Sequence, residues 1–316
     1  MIAVWLVALV AGIGVAAYAS RRAVDRALDI ADRLGMSKGL MGVTIVAIGT
    51  DLPEIANSIV SSMSGHGDLV VGDTTGSTLT QVTLILAILA LTSRSLQSTD
   101  GDDQRSIVVP VGLMTVAATV LIAVLISDGH LSRIDGAVLV AVWAIAMTAA
   151  GRWQRRSHLL THVSEAPGNL GLLQLLMWLA IVAGSATVVV QAFVRISEQI
   201  GVPELVAGTL VLALGTSLPE LVVDWTAIRR GAAALAVGDL FGSSLVDATL
   251  AIGIGPLIRP TAVSAEAVSS VLVVAVGVAA ATLIWHFRRP RSSLTPVLLL
   301  VVYGVCMATI VGISSA

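Results

Sequence analysis

Two six-residue polar motifs interrupt apolar stretches of this 316-residue chain and could bind a metal cation. Residues 49–54 read Gly-Thr-Asp-Leu-Pro-Glu, and residues 215–220 read Gly-Thr-Ser-Leu-Pro-Glu, at a separation of 166 residues. Because proline has no N–H, Pro53 and Pro219 each leave the carbonyl four residues earlier without its helical partner. A carbonyl freed close to a glutamate offers the oxygen ligands that hard cations such as Ca²⁺ and Na⁺ prefer. The spacing therefore predicts cation ligation at Glu54 and Glu220.

A second pair of motifs repeats at the same separation and adds oxygen donors. Residues 72–77 read Gly-Asp-Thr-Thr-Gly-Ser, residues 238–243 read Gly-Asp-Leu-Phe-Gly-Ser, and Gln81 matches Asp247 farther along. No Cys or His joins these motifs, so an alkali or alkaline-earth cation is favoured over a softer metal. No Lys or Arg lies beside the acids in the apolar stretches. Asp51, Asp247 and the two glutamates therefore require a mobile cation or a proton.

Three further aspartates lie near the motifs, and the residue types alone do not fix their roles. Asp73 and Asp239 each follow a glycine and precede a helical stretch. Each could therefore ligate the cation or cap the N-terminus of a broken helix. Asp224 is close in sequence to Arg229 and Arg230, and we expect an ion pair there.

The composition indicates that these motifs belong to a membrane protein. Hydrophobic residues make up 56% of the chain, charged residues make up 12%, and the mean hydropathy is +0.94. A soluble domain is roughly one quarter charged, so this chain has too few polar groups to cover a globule in water. The net charge of −2 excludes nucleic-acid binding through bulk positive charge. The single cysteine, Cys306, excludes a disulfide framework.

Apolar stretches of about 20 residues predict ten transmembrane helices. They cover approximately residues 2–20, 40–63, 69–91, 107–127, 133–150, 170–194, 204–227, 232–257, 263–286 and 294–314. With the N-terminus outside, the cytoplasmic loops hold 15 of the 18 Lys and Arg residues. An excess of basic residues in the cytoplasmic loops is the rule for membrane proteins. We therefore predict a multi-pass protein of the plasma (inner) membrane with both termini outside the cytoplasm.

The two copies of each motif predict an internal duplication. Residues 1–150 form one five-helix repeat, residues 151–168 a cytoplasmic linker, and residues 169–316 the second five-helix repeat. Because five is odd, the second repeat enters the membrane from the opposite side, and a pseudo-two-fold axis in the membrane plane relates the two. The predicted fold is an all-α membrane protein of two inverted-topology repeats, whose motifs meet near the bilayer centre.

The motifs over 39–91 and 205–257 resemble the two alpha-repeats of the sodium/calcium exchanger family, of the Ca²⁺/cation antiporter superfamily, in its compact prokaryotic form. The resemblance implies that Glu54 and Glu220 are carboxylates that both ions use. It also implies that the carbonyls of Thr50 and Thr216 complete a Ca²⁺ site and that Asp247 is the central acid. Flanking Na⁺ sites are implied at Ala47 with Ser77, at Ala213 with Ser243, and near Ser217.

The chain departs from the family pattern at four positions of these motifs. Asp51 stands where the family has Ser, and Asp73, Asp239 and Gln81 stand where it has Asn. Added carboxylates strengthen the binding of a divalent cation, but they also oppose each other's ionisation. A proton could therefore replace Na⁺ as the coupling ion.

The residues and the resemblance together predict a transporter and not an enzyme, with no prosthetic group. We expect it to exchange Ca²⁺ for Na⁺ across the membrane by alternating access. Ca²⁺/H⁺ exchange and a cation-selective channel stay open as alternatives. The expected partners are the lipid bilayer and the transported cations, with no nucleic acid and no obligate protein partner.

Overall fold

The structure is a computed structural model that describes residues 2–92, 101–157, 169–199, 217–287 and 294–314. Almost all of these residues are helical, which confirms the all-α part of the predicted fold class. In chain order the helices are α1 (Ile2–Leu34), α2 (Lys38–Thr50), α3 (Leu52–Ser64), α4 (Gly67–Thr92), α5 (Gly101–Leu125), α6 (Arg133–Ser157), α7 (Asn169–Gln199), α8 (Leu218–Arg229), α9 (Ala233–Ile258), α10 (Ala265–Phe287) and α11 (Leu294–Ser314).

Two short strands are an addition that the sequence did not predict. Strands β1 (His130–Leu131) and β2 (Thr261–Ala262) pair antiparallel, with His130 opposite Ala262. The amide of Val263 also donates to the carbonyl of Gly129 at 2.9 Å. A two-residue strand has no alternating pattern that a sequence could reveal. The ladder ties the segment between α5 and α6 to the segment between α9 and α10.

Eight of the described helices are long and apolar enough to cross a membrane, namely α1, α4, α5, α6, α7, α9, α10 and α11. Helices α2 and α3 meet at a 44° bend and together make a ninth such segment. Of the predicted span 204–227, residues 204–216 lie outside the described residues, and the remainder forms most of α8. The count of ten therefore stays a prediction.

Helices α4 and α9 lie at the centre of the protein. In each, 78% of the most apolar window is buried inside the protein, against 17% in α1 and α11. Both central helices carry the second motif predicted from the sequence, whereas α1 and α11 leave apolar side chains for lipid. The chain thus encloses its polar motif residues and exposes its apolar ones, as a bilayer requires.

Glycines bring the backbones of α2 and α9 into direct contact. A Cβ built on Gly242 would lie 2.5 Å from the Cα of Val43 and 2.7 Å from its carbonyl oxygen. A Cβ on Gly238 would likewise meet the backbone of Gly39. Only glycine permits this approach, in the way that small residues do where membrane helices cross. The close crossing sets the first motif of one half against the second motif of the other.

Candidate cation site

The first motif contains a helix break in the first half of the chain, and a helix begins at the equivalent point in the second half. Asp51 separates α2 from α3 with φ −80° and ψ 9°, and Ser217 precedes α8 with φ −87° and ψ 12°. Pro53 and Pro219 fall in the first turn of the new helix, where the missing N–H costs nothing. The break that Pro53 predicts is therefore present, and α8 begins at the equivalent position, whereas the residues before Ser217 lie outside the described ranges. This arrangement places Glu54 and Glu220 in the first turns of α3 and α8.

Three carboxylates from the two halves converge at the starts of α3 and α8. Carboxylate oxygens of Asp51, Glu54 and Glu220 all lie within 4.8 Å of one another, and the three side chains are fully buried. No described residue donates a hydrogen bond to any of these oxygens. Two ligands on opposite sides of a Ca²⁺ ion, each at about 2.4 Å, are separated by about 4.8 Å. The three side chains can therefore contact one cation together.

Asp247 is held beside this cluster by two polar side chains. It lies close enough to Glu54 and Glu220 for electrostatic interaction. The Gln81 amide nitrogen donates to Asp247 Oδ2 at 3.1 Å, and the Ser244 hydroxyl donates to Gln81 Oε1 at 3.0 Å. Asp247 Oδ1 is buried and accepts no hydrogen bond from the described residues. Gln81 thus presents its donor to Asp247, which leaves one oxygen of that carboxylate available to a cation.

Gln81 and Asp247 also begin equivalent local distortions of their helices. Residues Gln81–Ile85 of α4 and Asp247–Ala251 of α9 are wound as π-helix. Single π-helical turns inside α-helices occur frequently at functional sites, because the extra residue redirects a side chain. The sequence carried no signal for these turns.

Asp73 and Asp239 are not helix caps, so that alternative was wrong. Helix α4 begins at Gly67 and α9 at Ala233, and each aspartate lies well inside its helix. Asp73 accepts a hydrogen bond from the Asn57 side chain at 2.5 Å and interacts electrostatically with Glu54. Asp239 is fully buried and interacts electrostatically with Glu220. Both aspartates therefore belong to the polar centre.

The expected ion pair of Asp224 with Arg229 or Arg230 was also wrong. Asp224 is fully buried and interacts electrostatically with Asp239. Arg230 instead pairs with Asp25 of α1. Arg229 and Arg230 follow Asp224 by five and six residues, whereas side chains on the same face of a helix are three or four residues apart. Proximity in sequence therefore did not imply contact here. Asp224 is a buried acid that sequence reasoning missed.

The remaining predicted ligands are placed as follows. The Thr50 hydroxyl lies 3.2 Å from the Ser243 hydroxyl, which joins α2 to α9. The Ala47 carbonyl accepts from the Asp51 amide at 3.1 Å and from the Thr50 hydroxyl at 3.2 Å. Ser77 and Ser217 are buried. Thr216 and Ala213 lie outside the described residues.

The electrostatics of the whole centre call for cations. The buried acids of the described residues number seven: Asp51, Glu54, Asp73, Glu220, Asp224, Asp239 and Asp247. The ion pairs Arg33–Asp29 and Arg230–Asp25 are exposed and involve none of these acids. A buried carboxylate without a partner is costly, so this arrangement needs bound cations or protons to be stable.

Comparisons with known proteins agree on one family. A sequence model of the family described as "Sodium/calcium exchanger protein" matches residues 4–151 and 170–312. The chain is 29% identical over 263 residues to the inner membrane protein YrbG of Escherichia coli (strain K12), covering 80% of this chain and 79% of the relative. It is 25% identical over 301 residues to the sodium/calcium exchanger MaX1 of Methanosarcina acetivorans, and this match covers 76% of this chain and 79% of the relative.

A solved structure has the same fold over nearly the whole chain. The sodium-calcium exchanger NCX_Mj, soaked with Na⁺ and Sr²⁺, superimposes with a TM-score of 0.79 at 26% identity. The superposition covers 98% of this chain and 99% of the other. The described helices that carry the buried carboxylates are therefore arranged here as in a protein whose structure was solved after soaking with such cations.

Proposed function

This chain belongs to the sodium/calcium exchanger family, and we propose that it is a secondary-active antiporter that exchanges Ca²⁺ for Na⁺ across the membrane. It works by alternating access, at the inner membrane, without a prosthetic group and without an obligate protein partner. Ca²⁺ and Na⁺ are its cargo. The name of the Escherichia coli relative, an inner membrane protein, supports the location.

The observation that carries this proposal is the convergence of Asp51, Glu54 and Glu220. Their oxygens lie within 4.8 Å of one another, and no described basic side chain compensates them. Asp51 and Glu54 come from the first half of the chain and Glu220 from the second. A cation bound by all three therefore contacts both halves of the chain at once.

Exchange follows from the electrostatics of this centre. Ca²⁺ and Na⁺ both require the oxygens of Glu54 and Glu220, so the two ions occupy the centre in turn. An empty centre leaves buried carboxylates unpaired, and this cost disfavours passage of the empty protein between its two states. Each passage therefore carries an ion, and the cycle alternates between Ca²⁺ and Na⁺ with little leak.

We also propose ten spans, a linker at 151–168 and both termini outside the cytoplasm, with the two halves forming an inverted repeat. Several contacts between equivalent residues support the repeat. Gln81 hydrogen-bonds to Asp247, and Ser244 to the Thr78 carbonyl, and each pair is separated by 166 residues in sequence. Residues close to a two-fold axis contact their own equivalents in this way. The turns after α3 and α8 also match, because the glycine in each is left-handed, at residues 65 and 231, again 166 apart.

Ion-swap flux measurements test the proposal. The purified protein in liposomes is given radioactive Ca²⁺ outside, with Na⁺, choline or a pH gradient as the driving ion inside. We expect Ca²⁺ uptake with internal Na⁺ and none with choline. Uptake without any counter-ion would indicate a cation channel and would contradict exchange.

The surplus of buried acids favours Ca²⁺/H⁺ exchange as a second candidate. One Ca²⁺ ion neutralises the charge of two of the seven buried carboxyl groups, and Asp224 and Asp239 are buried acids outside the first cluster. Protons are the simplest neutralising ions for carboxyl groups that lie near one another. Ca²⁺ uptake driven by a pH gradient in the absence of Na⁺ would establish this candidate in place of Na⁺ coupling.

A further inference from the structure

A cavity of about 680 Å³ lies between α1, α7 and α8, apart from the carboxylate centre. Its α8 wall is formed by Leu218, Leu221, Val222, Trp225 and Thr226, and it continues to Arg229. These residues recur every three or four positions and so share one face of α8.

The acids of α8 lie on the other face of the same helix. Glu220 and Asp224 are offset from the cavity residues by about half a turn, and both are fully buried. The cavity walls are mainly apolar and its rim is basic, through Arg21, Arg229 and Arg230. A positive rim repels cations, so this cavity is poorly suited to be their route to the centre.

The rim can receive an anion. Arg230 already pairs with Asp25, but within the described part of the chain Arg21 and Arg229 have no acidic partner. Arg21 belongs to α1 and Arg229 to α8, so two guanidinium groups from separate helices line one cavity. Guanidinium groups suit phosphate because they donate several hydrogen bonds in a planar geometry.

The walls can receive an acyl chain from the bilayer. Ile13 and Trp225 line the cavity and yet are 53% and 38% exposed, so the cavity is open at the lipid-facing surface. On the topology of the proposed function, the three arginines lie on the cytoplasmic side, where anionic lipids attract basic groups.

We propose that this cavity binds one anionic phospholipid, with its phosphate at Arg21 and Arg229 and an acyl chain along the apolar wall of α8. The charge of the rim, the apolar walls and the lateral opening together fit a lipid better than a soluble anion. Because α1 and α8 belong to different halves of the chain, the lipid contacts both halves at once.

Native mass spectrometry of the full-length protein tests the site, with dioleoyl-phosphatidylglycerol and dioleoyl-phosphatidylcholine as probes. The wild type should retain one phosphatidylglycerol in preference to phosphatidylcholine. Arg21 and Arg229 should each raise the affinity for phosphatidylglycerol over phosphatidylcholine about fivefold. The double variant R21Q/R229Q should lose that preference. The matched control R22Q/R33Q removes the same charge from α1, where Arg22 rests on Tyr18 and Arg33 pairs with Asp29, and should keep it.

Two further arms keep the test decisive if the double variant does not fold. Val189→Trp, in α7 beside Gly12, fills the apolar part of the cavity more than two turns of α1 away from Arg21, and it should reduce phosphatidylglycerol retention several-fold. Glycerol 3-phosphate should compete weakly, because it lacks an acyl chain. Equal retention in R21Q/R229Q and its control, unchanged retention in Val189→Trp, or full displacement by glycerol 3-phosphate would overturn the proposal. The assay needs no transport, so its failure would leave the exchange proposal unaffected.

Discussion

At the scale of single residues, Glu54 and Glu220 carry the cation site. Replacing either glutamate by glutamine keeps the shape of the side chain but removes one negative charge from the buried cluster. No other described residue can supply that charge to the cation in its place. Loss of a buried charged ligand typically costs several kcal/mol, so we expect Ca²⁺ flux to fall at least about 100-fold in each variant. Flux into liposomes measures this.

The control for these variants is Glu266→Gln, which changes an exposed glutamate in the first turn of α10. It should transport as the wild type does. Ca²⁺ flux retained by either Glu54→Gln or Glu220→Gln would remove that residue from the site.

Ser244 acts on the site through Gln81. Its hydroxyl donates to Gln81 Oε1 and so helps to turn the amide nitrogen towards Asp247. Ser244→Ala should weaken Ca²⁺ binding about fivefold, since one buried hydrogen bond contributes about 1 kcal/mol. Ser244→Thr keeps the hydroxyl and should restore the affinity, whereas an equal loss in both variants would indicate a packing defect. Equilibrium Ca²⁺ binding with Ser270→Ala as control measures the effect.

Some residues of the site could be predicted from the sequence and others could not. An acid next to a proline break in an apolar stretch is recognisable on chemical grounds, and Asp51, Glu54 and Glu220 do meet. Asp224 and Ser244 were missed because their partners, Asp239 and Gln81, come from other helices. Such contacts depend on how helices cross, and no local pattern encodes this.

At the scale of elements, Pro53 accounts for the break between α2 and α3, and the glycines determine how closely α2 and α9 cross. The sequence predicted this break because proline lacks an N–H. The predicted spans 69–91 and 232–257 begin within two residues of the observed helix starts at Gly67 and Ala233, but the sequence did not exclude a second break inside them, so Asp73 and Asp239 were left with two interpretations. It also gave no sign of the π-helical turns, which have no characteristic residue.

Gly242 should be intolerant of even one added methyl group. A Cβ at this position would overlap the backbone of Val43, which cannot move aside as a side chain can. We expect Gly242→Ala to lower the free energy of unfolding by about 1–3 kcal/mol, as overpacking of a core does. Thermal unfolding in detergent measures the change.

The matched control is Gly304→Ala in α11, where nothing lies within 4 Å of the added methyl group. This variant should be unchanged or slightly more stable, because alanine is the better helix former. Equal melting temperatures for Gly242→Ala and the wild type would contradict the close crossing of α2 and α9.

At the scale of the whole molecule, the composition and the span pattern predicted a helical membrane protein, and the structure and the family agree. The opposite orientation of the two halves follows from the odd number of spans in each half, so it depends on every span having been counted. Residues 204–216 of the seventh span lie outside the described residues, and the orientation therefore stays a prediction.

Cysteine labelling tests that orientation. In a Cys306→Ala background, Ser64→Cys and Arg230→Cys place single thiols at exposed, equivalent positions 166 residues apart. A membrane-impermeant maleimide should label Ser64→Cys in intact cells and Arg230→Cys only after permeabilisation, because inverted repeats put the two turns on opposite sides. Labelling of both thiols from the same side would contradict the inverted repeat.

Competition between the two ions for the purified protein tests the central claim most directly. If Asp51, Glu54 and Glu220 form one cage that spans the two halves, radioactive Ca²⁺ should bind to a single saturable site. Rising Na⁺ should displace it competitively. Both Ca²⁺ binding and its displacement should disappear in Glu54→Gln and in Glu220→Gln. Saturating Ca²⁺ binding that persists unchanged in high Na⁺, or in either variant, would contradict the account.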